Sequence, residues 1–194
     1  MHEESNITIY HGSSQKVEIP DLGKSKAMVD FGVGFYTTED IVLAKKWACK
    51  TEKSVINTYN LNIEGLKVKR LTLDAEWLDI VHSFRSGDTY QFDELYDVVI
   101  GPIADDKLFT ILELFEMGVY DEKQTVQILN CMDYGDQIVL KTSDAINNLE
   151  CIQSKELFGA ERQHFLDLYR EDMKKASEKT RQMIKRLRGQ LPTP

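Results

Sequence analysis

Apolar and polar residues alternate from Asn6 to Tyr10, which predicts a strand with one buried face and sets Ile7, Ile9 and His11 on its inward side. Phe35 to Thr38 predicts a second short strand. After it, Thr38-Glu39-Asp40 caps a helix running to about Lys50, with Ile41, Ala44, Trp47 and Ala48 along one stripe. Alternation returns from Val55 to Ile63, whereas Asp74 to Phe84 carries Trp77, Leu78, Val81 and Phe84 at helical spacing. Tyr96 to Gly101 reads as a buried strand halted by Pro102, Asp105-Asp106 open another helix, and Asp121 opens one more to Cys131. The turn Asp133-Tyr134-Gly135-Asp136 leads into a strand from Gln137 to Lys141, with Ile138 and Leu140 on one face and Gln137 and Val139 on the other. Ser143 to Leu149 reads as helical and Cys151 to Gln153 as extended. The expectation is an α+β unit.

Two stretches break this rhythm. From Ser14 to Asp30, with Pro20 and Gly23, no period survives, so the segment reads as a loop crossing over whatever His11 faces. Beyond Gly159, residues Phe165, Tyr169, Met173, Ala176, Thr180, Met183 and Leu187 recur at spacings of four and three in charged surroundings. That is one long amphipathic helix. The division is therefore residues 1–156 as the folded domain and 157–194 as an amphipathic, basic C-terminal helix.

Composition refines the picture in two places. The net charge of −8 argues against a broad basic face for duplex nucleic acid, yet Arg170 to Arg188 holds eight bases against three acids and is itself +5. Cys49, Cys131 and Cys151 are too few and too scattered for a zinc site or a disulfide framework, so no metal is expected. Neither a signal pattern nor an apolar run near the ~20 residues of a membrane span occurs, and the expected location is the cytoplasm, away from membrane.

The chemistry concentrates early in the chain. Tyr10-His11-Gly12-Ser13 ends the first strand; Phe31-Gly32-Val33-Gly34-Phe35-Tyr36-Thr37-Thr38 leads into the second; and Trp47 lies on the helix after it. A histidine, bare glycine backbone and aromatic faces suit a flat ligand with ribose hydroxyls and a carboxamide. The His-Gly pair, the Gly-x-Gly-x-Tyr segment and the aromatic eleven residues after that tyrosine resemble the ADP-ribosyltransferase superfamily, in its diphtheria-toxin and poly(ADP-ribose) polymerase branch. Residues Ile7 to about Gln153 are also similar to a bacterial family of formerly uncharacterised domains within it. They share its Tyr-His-Gly-Ser, Asp-Phe-Gly-x-Gly-Phe-Tyr-x-Thr and Ile-Gly-Pro-x-Ala-Asp-Asp segments.

The resemblance implies two packed, mainly antiparallel sheets flanked by helices, and transfer of single ADP-ribose units from NAD to a protein or nucleic-acid acceptor. It makes His11, Tyr36 and Gln137 the catalytic set. His11, Gly12, Ser13, Gly34, Tyr36, Thr37 and Trp47 would bind NAD: His11 the adenine-side ribose, Gly12 the carboxamide, Tyr36 and Trp47 the nicotinamide ring. Two departures stand out. Gln137 replaces the branch glutamate and, being neutral, steadies a developing cation less and cannot act as a base; Asp136 next to it would serve only with the strand's faces exchanged. Ala44 stands where a carboxamide-binding serine is common. Some relatives neighbour small partner genes, implying a toxin with an antitoxin. Beside this reading stand a non-catalytic NAD or ADP-ribose binding module and a protein that binds an antitoxin or its own copy through the C-terminal helix.

Overall fold

The computed structural model describes residues 5–26, 28–87, 95–104, 111, 114–115, 117–129 and 135–188. Strands β1 (Asn6–Ser13), β3 (Ser54–Asn62) and β7 (Leu149–Leu157) form one antiparallel sheet with β3 in the middle. Strands β2 (Phe35–Thr37), β6 (Asp136–Leu140), β5 (Val98–Pro102) and β4 (Val68–Arg70) form the second in that spatial order, with only the β4–β5 pair parallel. Among the described residues the helices are α1 (Ile41–Ala48), α2 (Ala75–Ser86), α3 (Glu122–Leu129), α4 (Ser143–Asn147) and α5 (Gly159–Arg188). The chain is α+β, with two sheets and a long C-terminal helix.

Alternation along the strands divides the interior into three apolar layers. Between the sheets, Ile9, Tyr59 and Leu61 of the first meet Phe35, Val98, Ile100, Ile138 and Leu140 of the second. Val99 and Val139, on the far face of the second sheet, pack with Trp77, Leu78, Val81 and Phe84 of α2, Ile128 and Leu129 of α3, and Ala176 of α5. The far face of the first sheet is closed by α1, through Ala44, Ala48 and Cys49 against Ile56 and Leu157. A single bridge between Tyr10 and Thr38 joins the sheets at their β1–β2 corner.

Caps fix where the helices begin. Asp40 accepts hydrogen bonds from the amides of Val42 (2.7 Å) and Leu43 (3.2 Å), and Asp74 caps α2 through Trp77 N. The strand predicted at Cys151–Gln153 is longer in the structure, because Leu149–Leu157 pairs with β3 although most of its side chains are not buried. β4 escaped prediction. It is three residues long and none of them is buried, so no alternation marks it. Asp105, Asp106, Cys131, Asp133 and Tyr134 lie outside the described residues.

Helix α5 lies on the domain that precedes it. Lys45 of α1 pairs with Glu161 (3.2 Å) and sits 4.6 Å from the centre of the Phe165 ring; Lys46 pairs with Asp172 (2.5 Å); Lys50 sits 4.8 Å from the ring of Tyr169. Further along, Ala176 and Thr180 are buried and Met183 packs against the second-sheet core.

Gly12 lets α1 touch the sheet. A β-carbon there would lie 2.1 Å from Ala44 O and 2.7 Å from Ala48 N, so any side chain must push the helix away. Overpacking of this kind costs about 1–3 kcal/mol, and Gly12→Ala should lower the urea midpoint accordingly with an unchanged m-value.

Candidate active site

His11 stands at the rim of the layer between the sheets. Its register partner on β3 is Asn57, and its ring stacks on Phe35 with centroids 4.4 Å apart and planes tilted by 39°. Its Nδ1 lies 2.7 Å from the carbonyl oxygen of Tyr36. A carbonyl only accepts, so Nδ1 carries the proton and Nε2 is left with a lone pair. Burial pushes the imidazole below its ordinary 6.5, and the bond to Tyr36 offsets this only in part. His11 is therefore a neutral acceptor at pH 7.

That ring lines a cleft of about 620 Å³, bounded on one side by Gly34, Phe35 and Tyr36 and on the other by the segment from Gln15 to Val29. The predicted loop does cross over the histidine. Asn57, fully buried, ties down its start: its amide nitrogen donates to Ser13 Oγ (3.1 Å) and Gln15 O (3.2 Å), and its oxygen accepts from Val17 N (3.0 Å). Tyr59 adds a hydroxyl bond to Val17 O, and burial raises that phenol's pKa. Ser25 ties down the far end. Its hydroxyl donates to Gly34 O (2.7 Å) and accepts from Gly34 N (2.9 Å).

Gly12 follows His11 on β1 and is not among the residues lining the cleft. Tyr10 exchanges bonds with Thr38 (2.8 and 3.0 Å), so strand alternation turns the N–H and C=O of Gly12 to the same outer edge, one step past the bridge. Gly34 is required for close packing, since a β-carbon would come within 2.5 Å of Val139 Cγ1. Tyr36 lines the cleft while its hydroxyl is committed, donating to Gly32 O (2.8 Å) and accepting from Phe31 N (3.0 Å).

A family model described as a protein of unknown function, DUF3990, matches residues 7–151. The chain belongs to that family. No curated protein and no solved structure matches the chain. The span that defines the DUF3990 family runs from β1 into β7; it contains the cleft and leaves α5 outside.

Other candidates from the sequence sit elsewhere in this DUF3990 domain. Gln137 is buried and is not among the residues lining the cleft; its amide nitrogen donates to Asp30 Oδ2 (2.8 Å) and Pro102 O (3.3 Å). Thr37 is fully buried and spends its hydroxyl on Ile138 O (2.7 Å). Ser13 belongs to the base of the loop, donating to Gln15 O (2.6 Å). Trp47 is half-buried on α1, off the cleft lining. The structure thus gathers His11, Gly34 and Tyr36, with Gly12 alongside, and does not bring Gln137 or Trp47 to them.

Sequence reasoning missed the group that fixes this geometry. Asp30, 5% exposed, accepts from Arg85 Nε (2.8 Å) and Arg85 Nη2 through one oxygen, and from Ala104 N (2.8 Å) and Gln137 through the other. Lys141 reaches the next carbonyl, Phe31 O. Asn57 carried a readable signal, an amide in mid-strand on the inward phase; Asp30, in an aperiodic loop, carried none.

Two outcomes follow from these contacts. Asp30→Asn leaves Arg85 buried without its counter-charge and should cost about 3–5 kcal/mol by chemical denaturation. An NMR titration of the His11 ring should give a midpoint below 6.5. Between that midpoint and the unfolded value the unfolded chain binds more protons, so the contribution of His11 to stability is complete above 6.5 and declines as pH falls through the folded value.

Proposed function

We propose that the cleft binds NAD and that the protein is a mono-ADP-ribosyltransferase acting on a protein or nucleic-acid acceptor. The observation that carries this reading is the neutral His11, whose ring lines the cleft and whose Nδ1 is held by Tyr36 O, so that Nε2 is its free acceptor. NAD supplies an activated ribose: the bond from its anomeric carbon to the nicotinamide nitrogen breaks, the electron pair leaves with the ring, and an acceptor atom bonds to the carbon and gives up its proton. His11 accepts from a ribose hydroxyl. The outward N–H and C=O of Gly12 match the oxygen and nitrogen of a carboxamide, which needs one donor and one acceptor. The volume lies within the ~300–1,000 Å³ of ligand clefts, and Lys16, Lys24 and Lys26 on the loop suit a diphosphate.

Gln137 fits the reacting-ribose role less well. Its amide donors are taken by Asp30 and Pro102, and the side chain is buried off the cleft lining. This favours, as a second reading, a module that binds NAD or ADP-ribose without turnover. Toxin activity and restraint by an antitoxin belong to the first reading alone.

Nicotinamide release from NAD, followed by chromatography with a cell lysate as acceptor source, separates the two. Transferase activity predicts release and label transfer, reduced roughly tenfold or more in His11→Ala by the lost hydrogen bond. Calorimetric NAD binding, abolished by His11→Ala and with no release, supports the binding module. Absence of both binding and release from folded protein refutes the NAD reading.

A further inference from the structure

One face of α5 remains unused by everything described above. Lys174, Lys175, Lys179, Arg181, Lys185 and Arg186 are all exposed. At 3.6 residues per turn, Lys174, Arg181 and Lys185 form one row and Lys175, Lys179 and Arg186 the next. The first row lies opposite Ala176, Thr180 and Met183, the residues that seat the helix on the domain. Among the described residues, Lys175 with Glu171 (2.7 Å) is the ion pair on this ridge, and both partners are exposed, so it contributes little. The ridge runs for about 18 Å of helix rise.

Its setting makes the charge selective. The segment from Arg170 to Arg188 is +5 in a chain of net −8, so the remaining residues sum to −13. A polyanion is repelled by the body and drawn to this one line. Ser177, Glu178 and Gln182 lie between the cations, so the face lacks the apolar side chains that would enter a lipid interface. Two arginines add planar forks suited to phosphate oxygens. We propose that this ridge is a docking strip for the phosphate backbone of a nucleic acid. It follows, along the same helix, the residues Glu161 and Asp172 that brace α1, and lies where α5 is seated on the α2 and α3 layer. The inference is independent of NAD.

The test is fluorescence polarisation of the full chain, without NAD, against a labelled 20-nucleotide single-stranded RNA, a DNA of equal length and a poly-glutamate peptide. Six phosphate contacts predict a log–log salt slope of about −4, or roughly 300-fold weaker binding between 50 and 200 mM salt. Substituting Lys179→Gln, Arg181→Gln, Lys185→Gln and Arg186→Gln together should weaken binding at 50 mM salt at least tenfold and reduce the slope to about −1.4. These positions are exposed and Gln is a good helix former, so the fold is retained. Glu178→Gln, which removes an acid from the ridge, should tighten binding. No binding at 50 mM salt, unchanged binding in the fourfold variant, or equal affinity for poly-glutamate would each overturn the proposal.

Discussion

The buried carboxylate of Asp30 is the constraint on which the arrangement rests. An isolated charge in the interior costs several kcal/mol, so it is stable only where donors converge, and here they come from three places. Arg85 arrives from the end of α2, Gln137 from the start of β6, and the amide of Ala104 from the chain leaving β5. Asp30 itself stands just before β2, at the far end of the loop that crosses the cleft. One side chain therefore fixes the second sheet, its covering helix and the entrance to the site in a common frame. Lys141 and the Tyr36 hydroxyl hold the next two residues, Phe31 and Gly32, in the same knot.

This explains how a polar residue at position 137 can be structural. The strand entrance of an antiparallel sheet would usually face water, and there a glutamine would be free to meet a ligand. In this chain the alternation that places Gln137 beside Val139 points it into the α2 side of the sheet, where Asp30 waits. The amide that distinguishes this position from a glutamate also suits it to that partner, because a second carboxylate 2.8 Å from Asp30 would meet like charge. The glutamine at position 137 is thus matched to a buried acid.

Much of the fold was legible in the sequence because its elements are amphipathic. The side-chain pattern located β1, β3, β6, α1 and α2, although β3 and β6 are buried on both faces and Ile41, expected on the apolar stripe of α1, is exposed; Asp40 and Asp74 mark helix starts that the structure confirms by their hydrogen bonds. β4 and the ends of β7 were not legible: their order comes from backbone pairing with β5 and β3, which leaves little trace in side-chain pattern. At the site, the inward phase of His11 and the covering loop could be read. The partners could not, since Asp30 with Arg85 and Ser25 with Gly34 are contacts between an aperiodic stretch and residues set by tertiary packing. Which face of β6 is buried against which layer decided the place of Gln137, and that depends on the whole second sheet.

The attachment of Ser25 to Gly34 has a mechanical consequence. One oxygen atom grips both the amide and the carbonyl of a single glycine, so neither bond can lengthen far without disturbing the other. The covering segment is accordingly pinned at this point like a clasp: it is either fastened or released, with few intermediate positions. Lifting the segment at that margin means parting the Ser25 oxygen from both groups together, which turning its hydroxyl alone does not do.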